Sequence, residues 1–505
     1  MSVTLPDLFA KGLEGREDKA LCRFEDGAEL TYAEFFEHAS KAAGALAAAG
    51  VEPGDRVAAL VEKSAEAAAL YVGCVLSGRI FLPMNPAYSD DEVGYFLADA
   101  EPAAFIADPS RLISLDAPAK NAGARMTAAL DADGAGSWRD RVDTAAPFHG
   151  SAPEAGDPAA ILYTSGTTGR PKGAVLSQAN LASNAATLIE AWRFTADDVL
   201  LHTLPIYHAH GLFVAINTVL GAGASMEWLS KFDTDAVFGA LPRSTAMMGV
   251  PTFYTRLLDD ARLDREVVAP IRVFISGSAP LLEETFEQFR ARTGHSILER
   301  YGMTETVMST SNPYDGPRLP GSVGPPLPGV EARVRGEDGA LLGADQIGEL
   351  EVRGPNVFSG YWRRPERRAD DFTEDGFFKT GDLARIDAEG VVWLVGRSKD
   401  LIISGGLNVY PKEVERVLDD TPGVKETAVF AAPHRDFGEG VVAAVVSENP
   451  ARPVNEAALD AAAEKLAKFK RPKRYVHLDA LPRNAMGKVG KAELRNRYAN
   501  LFDHT

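Results

Sequence analysis

A run of small, hydroxyl-bearing and glycyl residues that ends in a lysine is the part of the sequence best suited to chemistry. It reads Y-T-S-G-T-T-G-R-P-K-G over residues 163–173. Glycines let backbone N–H groups approach an anion closely, hydroxyl groups donate further hydrogen bonds, and the lysine adds positive charge. The run predicts a loop that binds a polyphosphate. The residues expected to form it are Thr164, Ser165, Gly166, Thr167, Thr168, Gly169 and Lys172.

The flanks of this loop predict two strands. Apolar residues fill 159–163 before the loop, and residues 174–177 after it have a strand-like pattern. A Walker A loop would open a helix and place serine or threonine directly after its lysine, whereas Gly173 follows Lys172 here. The alternative interpretation is a Gly- and Thr-rich hairpin without a ligand, which leaves the lysine and the successive hydroxyl groups unexplained.

The rest of the chain alternates helices and strands, which predicts an α/β fold. We expect helices over residues 32–49 and 63–77 on either side of a strand over 56–60. After a strand over 391–395, Gly405 and Gly406 open a unit with a helix over 411–418, strands over 424–431 and 441–447, and a helix over 455–468. These last elements predict a small C-terminal α+β domain.

Length and composition fit a globular enzyme of more than one domain. The 505 residues exceed what one core usually holds, and a chain with 45% hydrophobic and 25% charged residues is ordinary for a globular protein. The net charge of −18 disfavours nonspecific binding to nucleic acid or to a membrane surface. Without a secretory leader, and with only Cys22 and Cys74, we expect a cytoplasmic protein that is a monomer or a small homo-oligomer.

Together with later segments, the loop resembles the phosphate loop of the adenylate-forming superfamily of acyl-CoA synthetases, peptide-synthetase adenylation domains and luciferases. Segments similar to the other signatures follow in that superfamily's order: Y-G-M-T-E at 301–305, T-G-D at 380–382, G-R-S-K-D at 396–400 and P-R-N-A-M-G-K at 482–488. The resemblance implies a large N-terminal domain of layered α/β sheets over residues 1–397. A small, mobile C-terminal α+β domain over residues 398–505 would follow it.

The resemblance also implies ATP and Mg²⁺ as ligands. Thr164 and Glu305 would help to hold Mg²⁺, a hard cation that prefers carboxylate, hydroxyl and water oxygens. Asp382 would accept both ribose hydroxyl groups, although a T-G-D segment on its own would indicate only a turn. The other ATP-binding residues that the resemblance implies are Ser278, Ala279, Pro280, Tyr301, Gly302, Met303, Thr304 and Arg397.

For the small domain, the resemblance implies two successive tasks. Lys488 would stabilise the displacement at the α-phosphate, and Lys399 matches a hinge about which this domain turns between the half-reactions. Gly405 and Gly406 would then line a tunnel for the pantetheine of coenzyme A, where a side chain would block it. Lys470, in a basic segment over residues 465–474, is a candidate for the phosphates of coenzyme A, although such segments are usually solvated faces.

Two arginines lie in segments that wall the acid pocket in the similar enzymes. Arg256 ends V-P-T-F-Y-T-R at 250–256, and Arg300 directly precedes the Y-G-M-T-E segment. A guanidinium binds a carboxylate bidentately and keeps its charge, so the substrate is expected to carry a second carboxylate. Malonate is the first candidate, and these segments resemble those of malonyl-CoA synthetases. Ser278 and the gate histidine, His208, would line the same pocket.

Each of these assignments has an alternative. Arg256 could pair with Asp259 or Asp260 on its own helix, and His208 could be a core histidine. The enzyme could accept methylmalonate and other short dicarboxylates, or could load an acyl group onto a carrier protein. A regulatory homologue without activity would be expected to lack Lys488 or Glu305, and both are present.

Overall fold

The computed structural model describes residues 3–164, 171–404, 407–434, 437–483 and 488–502. Some residues of the predicted phosphate loop and of the predicted coenzyme A tunnel lie outside this range: Ser165, Gly166, Thr167, Thr168, Gly169, Gly405 and Gly406.

The described residues form helices and strands along the whole chain. The α-helices are α1 (Leu5–Leu13), α2 (Tyr32–Ala48), α3 (Ala65–Leu76), α4 (Asp90–Ala100), α5 (Pro109–Asn121), α6 (Ser137–Thr144), α7 (Gln178–Ala191), α8 (Asn217–Ala222), α9 (Thr234–Ala240), α10 (Pro251–Leu258), α11 (Glu283–Thr293), α12 (Arg368–Asp371), α13 (Pro411–Asp419), α14 (Glu456–Ala463) and α15 (Lys491–Arg497). The first strands are β1 (Ala20–Phe24), β2 (Glu29–Thr31), β3 (Arg56–Leu60), β4 (Ile80–Pro83), β5 (Ala104–Ala107), β6 (Met126–Ala129), β7 (Pro158–Thr164), β8 (Lys172–Ser177), β9 (Val199–His202), β10 (Ser225–Trp228), β11 (Ala246–Gly249) and β12 (Val273–Ser276). The later strands are β13 (Leu298–Tyr301), β14 (Thr310–Ser311), β15 (Glu331–Arg335), β16 (Gly348–Arg353), β17 (Gly360–Tyr361), β18 (Phe378–Ile386), β19 (Val392–Arg397), β20 (Ile402–Ser404), β21 (Leu407–Val409), β22 (Val424–His434), β23 (Gly438–Ser447) and β24 (Arg474–Leu478).

Contacts between residues divide the chain into two compact units. The N-terminal unit contains residues 1–331 and 352–378, and the C-terminal unit contains residues 332–351 and 379–505. The predicted fold class, a large N-terminal α/β part with a smaller C-terminal part, is confirmed. The predicted domain boundary after residue 397 concerns where the chain hinges, and it stays a prediction.

Two largely parallel sheets form the N-terminal unit. One has the order β14-β13-β12-β11-β9-β10-β1-β2, and the other β17-β8-β7-β4-β3-β5-β6. Their central strands are short apolar runs buried on both faces, as parallel sheets covered by helices require. Because β9, β11, β12 and β13 are parallel neighbours, His202, Ser276 and Tyr301 end their strands at one edge of the first sheet.

The C-terminal unit has two sheets of its own. Strands β15-β16-β18-β19 form one, and β21-β20-β23-β22 form the other, where β24 pairs with β23 in parallel. Helices α13 and α14 pack an apolar face on the second sheet, with Val414, Leu418 and Leu459 fully buried.

Most predicted elements are present, and the differences are at the ends of helices and strands, such as β23, which begins at Gly438 rather than at residue 441. The helix expected from residue 63 begins at Ala65, because Ser64 is extended and its side chain caps the Ala67 N–H. Lys63 therefore lies before the helix. The helix expected to run to residue 468 ends at Ala463. Within the described residues, no helix combines the length and the apolar character needed to span a bilayer.

Candidate functional site

The base of the predicted phosphate loop is a hairpin that brings together a hydroxyl, a carboxylate and an ammonium. Strands β7 and β8 pair so that Thr164 lies opposite Lys172. The Thr164 Oγ1 lies 3.5 Å from Glu305 Oε1, and the Tyr361 hydroxyl donates to the same carboxylate oxygen over 2.9 Å. The Lys172 Nζ lies 4.9 Å from the centroid of the Tyr361 ring. This set fits a phosphate chain with a hard cation, which the Glu305 carboxylate could ligate.

Glu305 is held by a tight turn after β13. The carboxylate is buried, and the Glu305 carbonyl accepts a hydrogen bond from the Phe358 N–H over 2.8 Å. Gly302 is required in this turn, since a Cβ there would lie 1.8 Å from the Val307 carbonyl oxygen. The turn also carries Met303 and Thr304. The structure therefore places the Y-G-M-T-E segment next to the hairpin base, as the ordered motifs predict.

Arg300 is a buried arginine with unsatisfied donors. It is 3% exposed, and its Nε and Nη2 atoms have no hydrogen-bond partner within the described part of the chain. The guanidinium lies on the backbone of Gly277, where a Cβ would come within 2.2 Å of Arg300 Nη1. Burial lowers the pKa of Arg300 to about 9, although Tyr254 and Glu299 act in the opposite direction. A buried cation whose donors have no protein partner can bind an anion, which would satisfy those donors.

His210 completes this buried cluster. Its Nδ1 lies 3.3 Å from the Ser278 Oγ, and its Nε2 has no hydrogen-bond partner among the described residues. Burial, together with the charge of Arg300, holds the pKa of His210 well below its usual value, so the ring is neutral. Ser278 has a φ of +70°, an unusual backbone conformation for a residue with a side chain. Neutral His210 can donate a hydrogen bond to an anion that Arg300 binds.

A second buried network supports the segment that carries His210. Residues His210–Ile216 form a π-helix, a rare form that is frequent at functional sites. The His202 Nε2 lies 2.9 Å from the Gly211 carbonyl oxygen, and the Lys63 Nζ lies 2.7 Å from His202 Nδ1. Lys63 also donates to the carbonyls of His202 and Leu229, at 2.8 and 2.6 Å. Because the Gly211 carbonyl oxygen can only accept, the His202 proton lies on Nε2, and Nδ1 accepts a hydrogen bond from Lys63. Burial lowers the pKa of Lys63 well below its usual value.

Arg256 lies apart from this buried cluster. It is exposed on α10, and its Cζ is 5.8 Å from the centroid of the Phe232 ring. Two residues earlier, Tyr254 is buried and donates to the Ile275 carbonyl over 2.6 Å, so the two side chains leave the helix on different faces. In the described residues Arg256 forms no ion pair with Asp259 or Asp260, the alternative that the sequence left open. A role for Arg256 in binding the acid stays a proposal.

The remaining predicted residues of the N-terminal unit lie near the same segments. His208 is half-buried, and its Nδ1 accepts a hydrogen bond from the His210 N–H over 3.3 Å. Ala279 and Pro280 continue the loop that begins at Gly277, and Tyr301 is buried at the end of β13. The strand end, the histidine segment and the Y-G-M-T-E turn thus meet at one edge of the sheet.

In the C-terminal unit, the predicted residues already have partners. Asp382 is buried in β18 opposite Arg397 in β19, and the Arg397 Nε lies 2.9 Å from Asp382 Oδ1. The Lys470 Nζ donates to both carboxylate oxygens of Glu413, at 2.6 and 2.8 Å. An ATP ribose would therefore meet an acid already bound by arginine, and a phosphate at Lys470 would compete with Glu413.

Lys399 and Lys488 lie outside regular strands of this unit. Lys399 is exposed in a single 3₁₀ turn that follows β19, and Lys488 is half-buried in the segment before α15. The roles of Lys399 as a hinge and of Lys488 as the catalytic lysine stay predictions.

Sequence reasoning missed three residues of the site. His210 stands two positions after His208 in I-Y-H-A-H-G, and only its burial beside Arg300 distinguishes the two histidines. Gly277 is the small residue on which Arg300 lies, and Tyr361 reaches Glu305 because β17 pairs with β8. Nothing in the sequence signals that strand pairing.

Two family descriptions match the chain. The AMP-binding enzyme family matches residues 9–362, and the AMP-binding enzyme C-terminal domain matches residues 413–488. The first match covers the hairpin, the Arg300 cluster and Glu305, and the second ends at Lys488.

Similar proteins include CoA ligases for different acids. A malonate–CoA ligase of Arabidopsis thaliana is 35% identical over 485 residues, which cover 88% of this chain and 78% of that protein. An indoleacetate–CoA ligase of Aromatoleum aromaticum is 36% identical over 496 residues, 95% of each protein. A solved structure of ATP-bound MatB from Rhodopseudomonas palustris has a TM-score of 0.95 and 51% identity, covering 99% of this chain and 100% of that one.

Proposed function

The chain belongs to the family of AMP-binding enzymes, and we propose that it ligates malonate to coenzyme A. In this reaction a carboxylate of malonate attacks the α-phosphate of ATP and pyrophosphate leaves. The thiol of coenzyme A then attacks the malonyl-adenylate, which gives malonyl-CoA and AMP. The observation that carries the choice of acid is the buried Arg300 with its unsatisfied donors beside neutral His210.

The identity of the acid substrate has to be inferred from the residues of the site, because the similar proteins are named as ligases of different acids. A monocarboxylate bound near Arg300 would leave a buried guanidinium without a partner, which costs free energy. The second carboxylate of malonate would satisfy the Nε and Nη2 donors, and His210 Nε2–H would donate to it as well. Relatives named as malonate–CoA ligases support the same choice. Arg256 would attract the dianion from its exposed position.

The hairpin base supplies the ATP-binding chemistry of the large unit. Thr164 and Glu305 would hold Mg²⁺, which neutralises phosphate charge and orients the leaving pyrophosphate. Lys172 would bind phosphate oxygens from the other strand of the hairpin. The buried position of Glu305 and its hydrogen bond from Tyr361 hold the carboxylate ready for this task.

The C-terminal unit would contribute to both half-reactions in turn. Asp382 would accept the ribose hydroxyl groups, and Lys488 would stabilise charge on the α-phosphate during adenylation. A turn about Lys399 would then exchange Lys488 for the tunnel that admits coenzyme A, with Lys470 near its phosphates. We further propose that the protein is a cytoplasmic monomer or small homo-oligomer. Its net charge of −18 disfavours nonspecific binding to nucleic acid or to a membrane surface.

The test is a panel of short acids with coenzyme A and ATP. We expect AMP and pyrophosphate as products, malonate as the best acid, and acetate and butyrate as very poor substrates. Succinate should be disfavoured because an extra methylene must fit against the fixed Arg300. Production of ADP, or a preference for butyrate over malonate, would contradict the proposal.

A further inference from the structure

Lys488 is followed directly by an isolated β-bridge and then by the start of a helix. Arg483 and Val489 pair as an isolated antiparallel bridge, and α15 begins at Lys491. Lys488 directly precedes Val489 and lies three residues before Lys491 in the sequence. The position of the Lys488 backbone therefore depends on the contacts that hold the first residues of α15.

A buried ion pair holds this start. The Lys491 Nζ donates to Glu415 Oε1 over 2.5 Å, and Glu415 Oε1 also accepts from the Val429 N–H over 2.9 Å. Glu415, on α13, is 7% exposed. Burial alone would raise the pKa of Glu415, but Lys491, Lys412 and these hydrogen bonds outweigh it and lower the pKa. The carboxylate thus stays charged, and it binds both α15 and the neighbouring sheet.

A second ion pair lies one turn further along α15. The Arg495 Nη1 lies 2.8 Å from Asp400 Oδ1, and Asp400 is the neighbour of Lys399. Residues 491 and 495 lie on the same face of a helix, so α15 is held at two points of one face. Arg495 holds the helix one turn further on, so Lys491 is the ion pair that holds its first turn, the turn nearest to Lys488.

From this arrangement we infer that Glu415 is a positioning residue for Lys488, acting through Lys491 and the first turn of α15. The inference rests on the proposed role of Lys488 in adenylation. An ammonium on a flexible stem stabilises a displacement only when it reaches the developing charge, and a misplacement of about 1 Å can slow a reaction roughly 10²-fold. Thioester formation does not use Lys488 and should not depend on this pair.

The experiment measures the two half-reactions separately. Adenylation is followed as pyrophosphate release from ATP and malonate, and thioester formation is followed from supplied malonyl-adenylate and coenzyme A. We expect Glu415→Gln and Lys491→Met to slow adenylation roughly 10-fold or more and to leave thioester formation within about twofold. Lys491→Arg, which keeps the charge, should restore most of the adenylation rate. The Lys491 variants keep the test decisive if Glu415→Gln fails to fold.

Asp419→Asn is the matched control. Asp419 lies one turn after Glu415 on α13. Its carboxylate accepts from the Thr427 Oγ1 over 2.8 Å and, among the described residues, forms no hydrogen bond or ion pair with α15. The variant should leave both half-reactions unchanged. Equal losses in the two half-reactions of Glu415→Gln, or the same selective loss in Asp419→Asn, would overturn the inference.

Measurements in a Lys488→Ala background distinguish a failure of this inference from a failure of the proposed function. If Glu415 acts through Lys488, adding Glu415→Gln to Lys488→Ala should not slow adenylation further. A further loss as large as in the wild type would overturn the inference and leave the role of Lys488 intact. If Lys488→Ala alone left adenylation unchanged, the proposed role of Lys488 would be wrong, and this inference with it.

Discussion

Candidate site residues in the N-terminal unit and ion pairs in the C-terminal unit differ in whether their buried polar atoms have partners. In the N-terminal unit, Arg300 and His210 are buried with polar atoms that have no partner in the described residues. In the C-terminal unit, Asp382 is bound by Arg397, and Glu415 by Lys491. Leaving a buried polar atom unsatisfied costs free energy that a ligand can recover. We therefore propose that the Arg300 and His210 cluster binds the substrate, whereas the paired charges of Asp382 and Glu415 hold the structure until a ligand competes for them.

The largest expected effect is at Arg300. Arg300→Met removes the charge at similar length, and we expect kcat/KM for malonate to fall roughly 10²- to 10³-fold, the effect of about 2–5 kcal/mol for a desolvated charge pair. Butyrate should be affected little or should improve, because no unpaired charge remains. The measurement is the ratio of malonate to butyrate activity in the two proteins.

The matched control for this substitution is Arg318→Met. Arg318 is a partly buried arginine of the same unit, but its guanidinium donates to the carbonyls of Pro313, Ser296 and Tyr314. We expect this variant to be less stable with an unchanged ratio of malonate to butyrate. A ratio that changes equally in both variants would contradict a specific role for Arg300.

The next effect concerns the C-terminal unit. Lys488→Ala should slow adenylation by roughly 10²-fold, as expected for loss of one electrostatic stabiliser, and should spare thioester formation from supplied malonyl-adenylate. Lys399→Pro should do the reverse, because it restricts the turn that admits coenzyme A. The test is a quenched-flow measurement of the rate of each half-reaction. If both variants lost the same half-reaction, the proposed alternation of the C-terminal unit between the two half-reactions would be ruled out.

Substitution of Arg256 should lower activity with malonate less than substitution of Arg300, which makes the two arginines a useful comparison. Because Arg256 is exposed, its attraction for malonate acts through water and is screened by salt. Arg256→Ala should lower kcat/KM for malonate by less than about tenfold, and the difference from wild type should shrink in high salt. The effect of Arg300→Met should persist at the same salt concentration. A large, salt-independent effect of Arg256→Ala would place Arg256 beside Arg300 when malonate binds.

Local patterns predicted the fold well. Strands such as Arg56–Leu60 and helices such as Pro411–Asp419 lie where the apolar periodicity indicates. The predicted helix start at residue 63 was wrong, because the Ser64 cap and the burial of the Lys63 amine outweigh helical propensity there. Such errors arise where a tertiary contact decides the local conformation.

The site was predicted less completely than the fold. The sequence motifs predicted Thr164 and Glu305, and the segment directly before the Y-G-M-T-E motif predicted Arg300, since each lies in or next to a distinctive motif. They could not find His210 or Tyr361, whose roles depend on contacts across the sheets. They also could not distinguish buried Arg300 from exposed Arg256, because burial arises from packing distant in sequence.

The smallest effect tests whether Asp419, a half-buried acid of the C-terminal unit that forms no ion pair in the described residues, behaves differently from Glu415. Burial raises the pKa of Asp419 from 3.8 to about 7, while Thr427 and Lys412 oppose the shift. A carboxyl with a raised folded pKa contributes stability that is fully present below its unfolded pKa of 3.8 and is lost as the pH rises through about 7. Between pH 5 and pH 8 the wild type should therefore lose roughly 2 kcal/mol of unfolding free energy relative to Asp419→Asn, whose amide never ionises. Urea unfolding of both proteins at the two pH values measures this difference. A difference that does not change with pH would show that Asp419 is charged throughout, like Glu415, and that burial in this unit does not by itself neutralise an acid.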